Sequence, residues 1–225
     1  MTIFDLLFPR RCFGCGYLGS YICPKCIKKL SLIDVQGCFY CKKKGLYGLT
    51  HPSCKRNNGI DGQITLFHYN NTLKKIIKGI KYSFIIAANR DLHYLIGRHG
   101  GESTLFYKKK PRLYIQPIPL SPEKEKNRGF NQADLIASSL SVLLEKPKLS
   151  LLGKKKTIPQ AQLGDKRKRQ NNIRGAFFAK KSLRFPKEIL LVDDVITTGS
   201  TIREATKALK QNGVEKVYVF SVAKG

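Results

Sequence analysis

Acidic residues are scarce in this sequence. Only 15 Asp and Glu stand against 42 Lys and Arg in 225 residues, which gives a formal net charge of +27. Solubility alone requires far less charge, so the imbalance indicates a polyanionic partner. A lysine-rich composition is the alternative, but it would not explain the shortage of acids. Disorder does not fit either, because 42% of the residues are hydrophobic and 10% are aromatic.

The sequence also lacks a long apolar run. No stretch approaches the roughly 18 apolar residues that a membrane-spanning helix requires. Residues 3–8 are apolar except for Asp5, but no cationic segment precedes them and Pro9, Arg10 and Arg11 follow, which argues against a secretory signal. We therefore expect a soluble, cytoplasmic protein whose start is a short packing helix or anchor.

Cysteine is absent after residue 54, although the chain contains seven. The first six form three C-x2-C pairs, a spacing that presents two thiolates to one tetrahedral zinc ion. Zinc fits better than disulfides, because His51 completes an eighth ligand place and no export signal is present. The simplest grouping assigns Cys12, Cys15, Cys23 and Cys26 to one zinc ion and Cys38, Cys41, His51 and Cys54 to another, while an interleaved grouping stays open.

Complete ligand sets leave no coordination position for water, so one or two structural zinc ions are expected. They would hold together a segment with too little apolar area to fold alone. A turn cluster at residues 59–62 closes this segment. The sequence therefore predicts a zinc-binding domain over residues 1–60 and a second domain over residues 61–225.

Strands and helices alternate in the second part of the chain. Apolar strands are predicted at residues 64–69, 112–118, 189–192 and 216–222. Helices are predicted after Asn71, over residues 89–98, over residues 131–144 and over residues 201–212. The helix after Asn71 has one apolar face and one lysine-rich face, and residues 145–172 read as a polar flap. This order predicts an α/β fold with a parallel sheet flanked by helices on both faces.

Residues 189–201 have the pattern of a ligand-binding site. Four aliphatic residues form a buried strand, and Asp193 and Asp194 follow at its carboxyl end, where open α/β sheets bind ligands. The small and hydroxylated residues after them offer backbone N–H groups and a helix N-terminus, with Thr201 and Glu204 as a capping box, to one phosphate. The two carboxylates can accept hydrogen bonds from a vicinal diol. Phosphate at one end and diol at the other describe a ribose 5-phosphate.

This stretch resembles the signature of type I phosphoribosyltransferases, which bind 5-phosphoribosyl 1-pyrophosphate (PRPP) with Mg²⁺. The resemblance implies that the acid pair holds the ribose hydroxyls and that Gly199 lets the backbone approach the phosphate. The pyrophosphate would be met by the loop at residues 117–121, with Lys124, Lys126 or Arg128 as cationic partners. The implied PRPP site comprises Asp193, Asp194, Val195, Ile196, Thr197, Thr198, Gly199, Ser200 and Thr201.

The paired cysteines, the run Arg128-Gly129-Phe130-Asn131-Gln132 and the ribose-phosphate motif together resemble the ComF/GntX family of competence-associated proteins. That resemblance implies handling of single-stranded DNA during natural transformation, alongside a ComFA-like DNA translocase at the inner face of the membrane. Little chain follows the last strand, so the zinc region is expected to cover the site. The basic clusters taken as DNA-binding candidates are Lys154, Lys155, Lys156, Lys166, Arg167, Lys168 and Arg169.

Two other functions stay open at this point. The protein could be an active Mg²⁺-dependent phosphoribosyltransferase acting on a nucleobase or amine, although no acceptor pocket is recognisable in the sequence. A regulator that binds duplex DNA ranks last, because no helix-turn-helix pattern is present. The sequence does not decide whether catalysis is retained.

Overall fold

The computed structural model describes residues 9–82, 88–156, 173–180 and 184–225. The strands are β1 (Gly62–His68), β2 (Leu113–Pro117), β3 (Leu152–Lys154), β4 (Phe177–Ala179), β5 (Glu188–Ile196) and β6 (Lys216–Lys224). The described helices are α1 (Pro24–Ile27), α2 (Asn71–Tyr82), α3 (Ala88–His99), α4 (Gly101–Lys108), α5 (Pro122–Arg128), α6 (Gln132–Leu144) and α7 (Ser200–Lys210), with short 3-10 turns at Leu46–Gly48 and Pro52–Cys54.

A four-stranded parallel sheet in the order β1-β6-β5-β2 forms the centre of the fold. β5 lies inside the sheet, and its residues 189–192 are fully buried. Burial on both faces explains why these four residues are uniformly aliphatic, since each fully buried aliphatic side chain contributes about 1.5–3 kcal/mol. The predicted parallel sheet is confirmed.

One face of the sheet is covered by α2, α3 and α6. Leu73 and Ile76 of α2 share a hydrophobic cluster with Leu190 and Val192 of β5. The lysine-rich face of α2 is therefore left at the surface. The helix is capped by Asn70, whose Oδ1 accepts a hydrogen bond from the Leu73 N–H at 2.9 Å, and not by Asn71 as its sequence suggested.

The other face is covered by α7 and by the antiparallel pair β3–β4. Ile202 and Leu209 of α7 pack there against Ile189 and Leu191 of β5. Phe39, from the cysteine-rich segment, belongs to the same cluster and is 1% exposed. Helices thus flank both faces, as the sequence predicted.

The cysteine-rich segment is packed onto the sheet domain. Cys12, Cys23 and Cys26 lie in the hydrophobic cluster that also contains residues of β1 and α2. The Asp91 carboxylate of α3 accepts hydrogen bonds from the backbone N–H groups of Tyr21 at 2.9 Å and Ile22 at 3.0 Å. The division of the chain at residue 60 stays a prediction.

Three local features differ from the sequence-based expectations. β5 continues through the acid pair to Ile196, because residues 193–196 keep pairing with β6. α4 was not predicted, since its sequence GESTLFYK has weak helical periodicity. The capping box at Thr201 is absent, because α7 already begins at Ser200 and Glu204 accepts a hydrogen bond from the Gly175 N–H at 2.9 Å instead.

Two expectations concern residues outside the described part of the chain. These are the anchor at residues 3–8 and most of the polar flap, of which residues 157–172 are not described. β3 and β4 lie on either side of residues 157–172. Among the described helices, none combines the length and the apolar character that crossing a bilayer would need.

Candidate functional site

Asp193 and Asp194 lie at the carboxyl end of β5, at the edge of the sheet where ligands bind in open α/β folds. The Asp194 carboxylate forms an ion pair with Lys81 of α2. The Asp194 N–H donates a hydrogen bond of 2.9 Å to Asp193 Oδ1. Burial raises the pKa of Asp193 to about 8, and repulsion from Asp194 adds to this shift. Protonated Asp193 is therefore favoured at neutral pH more than an ordinary carboxyl would be.

The loop after β5 turns into α7 at Gly199, whose φ is +74°. A Cβ built at Gly199 would lie 2.7 Å from Cζ of Phe39, and this φ disfavours other residues. Glycine is thus required by the Phe39 ring and by the turn, while the close approach of the backbone to a phosphate stays a prediction. Arg203 holds the loop from the helix side, because its Nη1 donates to the Thr198 carbonyl at 2.8 Å.

The loop presents the polar groups expected of an anion site. The Thr198 and Ser200 hydroxyl oxygens lie 3.1 Å apart, and the Ser200 N–H is 3.4 Å from Thr198 Oγ1. The free N–H groups at the start of α7 carry the positive end of the helix dipole. A loop of this kind can accept one phosphate group beside the acid pair.

Lys124 and Lys154 are two cations that the structure brings towards the acid pair. Burial and the positive charges of Arg128 and Lys81 lower the pKa of Lys124. Burial and the charge of Lys124 lower the pKa of Lys154 to about 8, while Asp193 opposes this shift. Lys154 is thus near Asp193, and Lys124 is near both Lys154 and Lys81, which pairs with Asp194.

The other predicted cations are distributed differently. Lys126 is exposed on α5, and Arg128 donates a hydrogen bond of 3.2 Å to Gln132 Oε1. Lys155 and Lys156 are exposed after β3, and Lys156 pairs with Glu123 at 3.0 Å. The remaining DNA-binding candidates, Lys166, Arg167, Lys168 and Arg169, lie outside the described residues.

A cleft of about 350 Å³ lies next to the carboxyl end of β2. Its lining includes Pro117, Leu120, Phe130 and Asn131, which belong to the loop predicted to meet pyrophosphate and to the start of α6. The Asn131 side chain fixes this corner, because its Nδ2 donates to the Ile118 carbonyl at 2.9 Å and its Oδ1 accepts from the Ala133 N–H at 3.0 Å. This is a candidate place for a second reactant.

The cysteines form the two sets that the spacing predicted. In each set the four ligand atoms lie within 4.8 Å of one another, a geometry that can hold a metal ion. The Cys23 N–H donates a hydrogen bond of 3.3 Å to Cys12 Sγ, and such amide contacts orient a thiolate towards a metal ion. The sets are Cys12, Cys15, Cys23 and Cys26, and Cys38, Cys41, His51 and Cys54.

His51 in the second set is oriented as a metal ligand. Its Nε2 lies 2.9 Å from the Lys44 carbonyl, so Nε2 donates and Nδ1 faces Cys41 Sγ at 3.3 Å. Burial acts to raise the pKa of the Cys38 thiol, but backbone N–H groups of Cys41 and His51 outweigh it and lower the pKa to about 6. A thiolate at Cys38 is the form that binds a metal.

Three residues at the site escaped the sequence analysis in their roles. The sequence analysis treated Lys81 only as part of the lysine-rich face of α2, and it assigned no role to Phe39 or Arg203. Their positions depend on tertiary contacts between segments more than 100 residues apart. No pattern in the sequence could have singled them out.

Residues 126–225 match the sequence model of the phosphoribosyl transferase domain. Competence protein F of Haemophilus influenzae is 33% identical over 227 residues, covering 96% of this chain and 98% of that protein. Competence protein ComFC of Streptococcus pneumoniae is 27% identical over 92% of this chain and 82% of that protein. The DNA utilization protein YhgH of Escherichia coli is 32% identical over 49% of this chain and 48% of that protein.

Among solved structures, a purine phosphoribosyltransferase from Pyrococcus horikoshii aligns with 61% of this chain and 83% of that chain. The TM-score is 0.35 and the identity 14%, a likeness too weak to support an inference. The relationship to Competence protein F, in contrast, extends over nearly the whole of both chains. The protein therefore belongs to the ComF/ComFC family of competence proteins, and it carries a phosphoribosyltransferase domain.

Proposed function

We propose that this protein binds PRPP with Mg²⁺ and handles single-stranded DNA during DNA uptake. The observation that carries the proposal is the junction of β5 and α7, where an acid pair, a hydroxyl-rich loop and a helix N-terminus meet. Its relatives named for competence supply the DNA context.

In this proposal, each part of the site meets one part of PRPP. The N–H groups and hydroxyls of residues 197–201 hold the 5-phosphate. Asp193 and Asp194 accept hydrogen bonds from the ribose 2′ and 3′ hydroxyls. Lys124 and Lys154 neutralise the pyrophosphate, and Mg²⁺ is held by carboxylate and pyrophosphate oxygens, the ligands that this cation prefers.

The proposal predicts pH-dependent binding of ribose 5-phosphate. Ionised Asp193 accepts charge-assisted hydrogen bonds from the diol, which are stronger than those that a protonated carboxyl accepts, and its pKa is raised to about 8. Affinity should therefore rise about tenfold between pH 7 and pH 9, since each pH unit below the pKa costs up to a factor of ten. Titration calorimetry at several pH values measures this.

The control for the pH series is Asp193→Asn, in which the ligand phosphate still titrates near pH 6 and Lys154 loses its charge near pH 8, so affinity should not rise between pH 7 and pH 9. A wild-type affinity that stays flat or falls above pH 7 would contradict the role of Asp193. Stability should change in the opposite sense. A carboxyl whose pKa is raised from 3.8 to about 8 stabilises the folded state less as the pH rises through that interval.

The two cysteine sets are proposed to hold structural zinc. Each set offers four ligands with tetrahedral-compatible spacing and leaves no place for a reacting water. The first set is packed into the core beside β1 and α2, and the second lies beside Phe39. Zinc would thus fix both contacts between the cysteine-rich segment and the sheet domain.

Single-stranded DNA is proposed to bind along the exposed face of α2. Lys74, Lys75 and Lys78 are exposed there, and none of them pairs with a carboxylate among the described residues. Lys81, one turn further on, pairs with Asp194 at the candidate PRPP site. A strand bound along this face would therefore lead to the pocket, and exposed lysines bind backbone phosphates without reading sequence.

Fluorescence anisotropy of a labelled oligonucleotide tests the DNA part of the proposal. Wild-type affinity should fall steeply with salt, and Lys74→Gln with Lys75→Gln and Lys78→Gln should flatten the log–log slope by about 2, at about 0.7 per phosphate contact. Lys207→Gln, an exposed lysine on α7, is the matched control. If the triple variant and the wild type have equal slopes, single-stranded DNA does not bind along α2.

The same titration with PRPP and Mg²⁺ tests whether the pocket and DNA are coupled. A change in DNA affinity with ligand is expected if α2 connects the two sites, and linkage requires the reverse effect on PRPP. Mg²⁺-dependent release of pyrophosphate in the presence of nucleobases or amines separates binding from turnover. Release would establish the enzyme alternative.

A further inference from the structure

A phenylalanine between two ligands of the second cysteine set packs against the loop at residues 197–201, the candidate phosphate site. Phe39 lies between Cys38 and Cys41, is 1% exposed, and packs where a Cβ of Gly199 would have to be. The guanidinium of Arg203 stacks on the same ring, with Cζ 5.1 Å from its centroid. Since Arg203 also binds the Thr198 carbonyl, Phe39 and Arg203 together contact two consecutive residues of the turn, Thr198 and Gly199.

Three cations gather at this contact. Lys42 lies 4.9 Å from the centroid of the Phe39 ring, and its ammonium donates a hydrogen bond to the Phe39 carbonyl. Lys224 pairs with Ile196 in the sheet, immediately before the loop. Arg203 is the third cation, and its guanidinium lies over the Phe39 ring.

No carboxylate neutralises these cations. None of the three forms an ion pair with an acidic side chain in the described ranges. The neighbouring metal set, with three thiolates and one imidazole on a divalent ion, would carry about one negative charge. The three cations and the metal set together leave a net charge of about +2 beside the loop, which would balance the charge of one phosphate dianion.

We propose that the second cysteine knuckle is a wall of the phosphate pocket, with Phe39 as a positioning residue for the loop and Lys42 as a phosphate-binding residue. The inference rests on the proposed function, since it assigns new residues to the same pocket. It makes the affinity for a phosphorylated sugar depend on a segment that lies outside the matched phosphoribosyltransferase region.

The test uses the full-length, metal-loaded protein and calorimetric titration with ribose 5-phosphate. Phe39→Leu should weaken binding about tenfold, because the loop loses its packing partner, and metal content should stay at the wild-type value. Lys42→Gln should weaken binding about fivefold and make it less sensitive to salt, because a charge is lost. Only Lys42→Gln should change the salt dependence of the affinity. The salt series therefore distinguishes the loss of a charge from the loss of packing.

Matched controls come from equivalent positions. Phe13 follows Cys12 as Phe39 follows Cys38, and it packs on Gly79 of α2 instead of the loop. Lys43 is exposed and next to Lys42. Phe13→Leu and Lys43→Gln should bind ribose 5-phosphate within about twofold of the wild type.

The outcomes distinguish this inference from the proposed function. If the wild type and both controls bind while Phe39→Leu and Lys42→Gln bind equally well, the inference alone is overturned. If the wild type does not bind ribose 5-phosphate, the proposed function fails and the inference with it. If Lys42→Gln weakens only binding of a labelled oligonucleotide, Lys42 contacts the DNA backbone and its assignment to the sugar phosphate is wrong.

Discussion

Replacing both Asp193 and Asp194 by Asn should abolish measurable binding of ribose 5-phosphate. Each carboxylate is expected to accept a charge-assisted hydrogen bond from a ribose hydroxyl, worth about 1.5–3 kcal/mol. Losing both should lower the affinity by about 100-fold or more, since 1.4 kcal/mol corresponds to a factor of ten. Asn keeps the shape of the side chains, so the loss reports on charge.

The fold should survive this change. The acid pair is destabilising in its own right, because burial and mutual repulsion raise the pKa of Asp193. Removing such functional strain commonly leaves the melting temperature unchanged or higher. Thermal unfolding checks this, although Lys81 loses its partner and offsets part of the gain.

Glu215→Gln is the control for the acid pair, because Glu215 forms an exposed pair with Lys187 at 2.5 Å. It should leave the affinity unchanged. A folded double Asn variant that binds ribose 5-phosphate as tightly as the wild type would show that the acid pair does not hold the sugar.

Cys12→Ser should release metal and destabilise the whole protein. Cys12 is 3% exposed and shares one hydrophobic cluster with α2, α3 and β1, so loss of the first set opens the main core. Structural zinc contributes about 10–16 kcal/mol of binding free energy in small zinc domains, a large part of which is folding free energy. We expect the melting temperature to fall by at least about 15 °C, or the variant to be insoluble.

Metal analysis and thermal unfolding of the wild type keep this prediction testable if the variant cannot be purified. A strong chelator should lower the melting temperature, and added Zn²⁺ should restore it. Wild-type protein that contains about two zinc ions supports both sets. Metal-free protein with an unchanged melting temperature would show that neither set has a structural role.

The parallel sheet could be predicted from the sequence because its strands are short apolar runs with clear ends. Residues 189–192 and the apolar face of α2 needed no tertiary information. The end of β5 could not be predicted without tertiary information. Two adjacent acids at Asp193 are typical of a turn, and only pairing with β6 extends the strand to Ile196. α4 was missed for the related reason that its burial of Tyr107 is set by neighbouring segments.

Some parts of the candidate site could likewise be predicted from the sequence, and others could not. The acid pair, the loop and the two cysteine sets could be found from spacing, because their chemistry requires those residue types at those intervals. Lys81 and Phe39 could not, since they contact β5 and its loop from distant segments of the chain. The structure also adds a reason for Gly199 that the sequence could not give, because the ring that excludes a Cβ belongs to the cysteine-rich segment.

The most direct measurement is calorimetric titration of the metal-loaded wild-type protein with PRPP in the presence of Mg²⁺. The proposed function predicts saturable binding of one PRPP per chain, competed by ribose 5-phosphate and lost in the double Asn variant. Absence of saturable binding in folded, zinc-containing protein at low salt would contradict a PRPP site at the junction of β5 and α7.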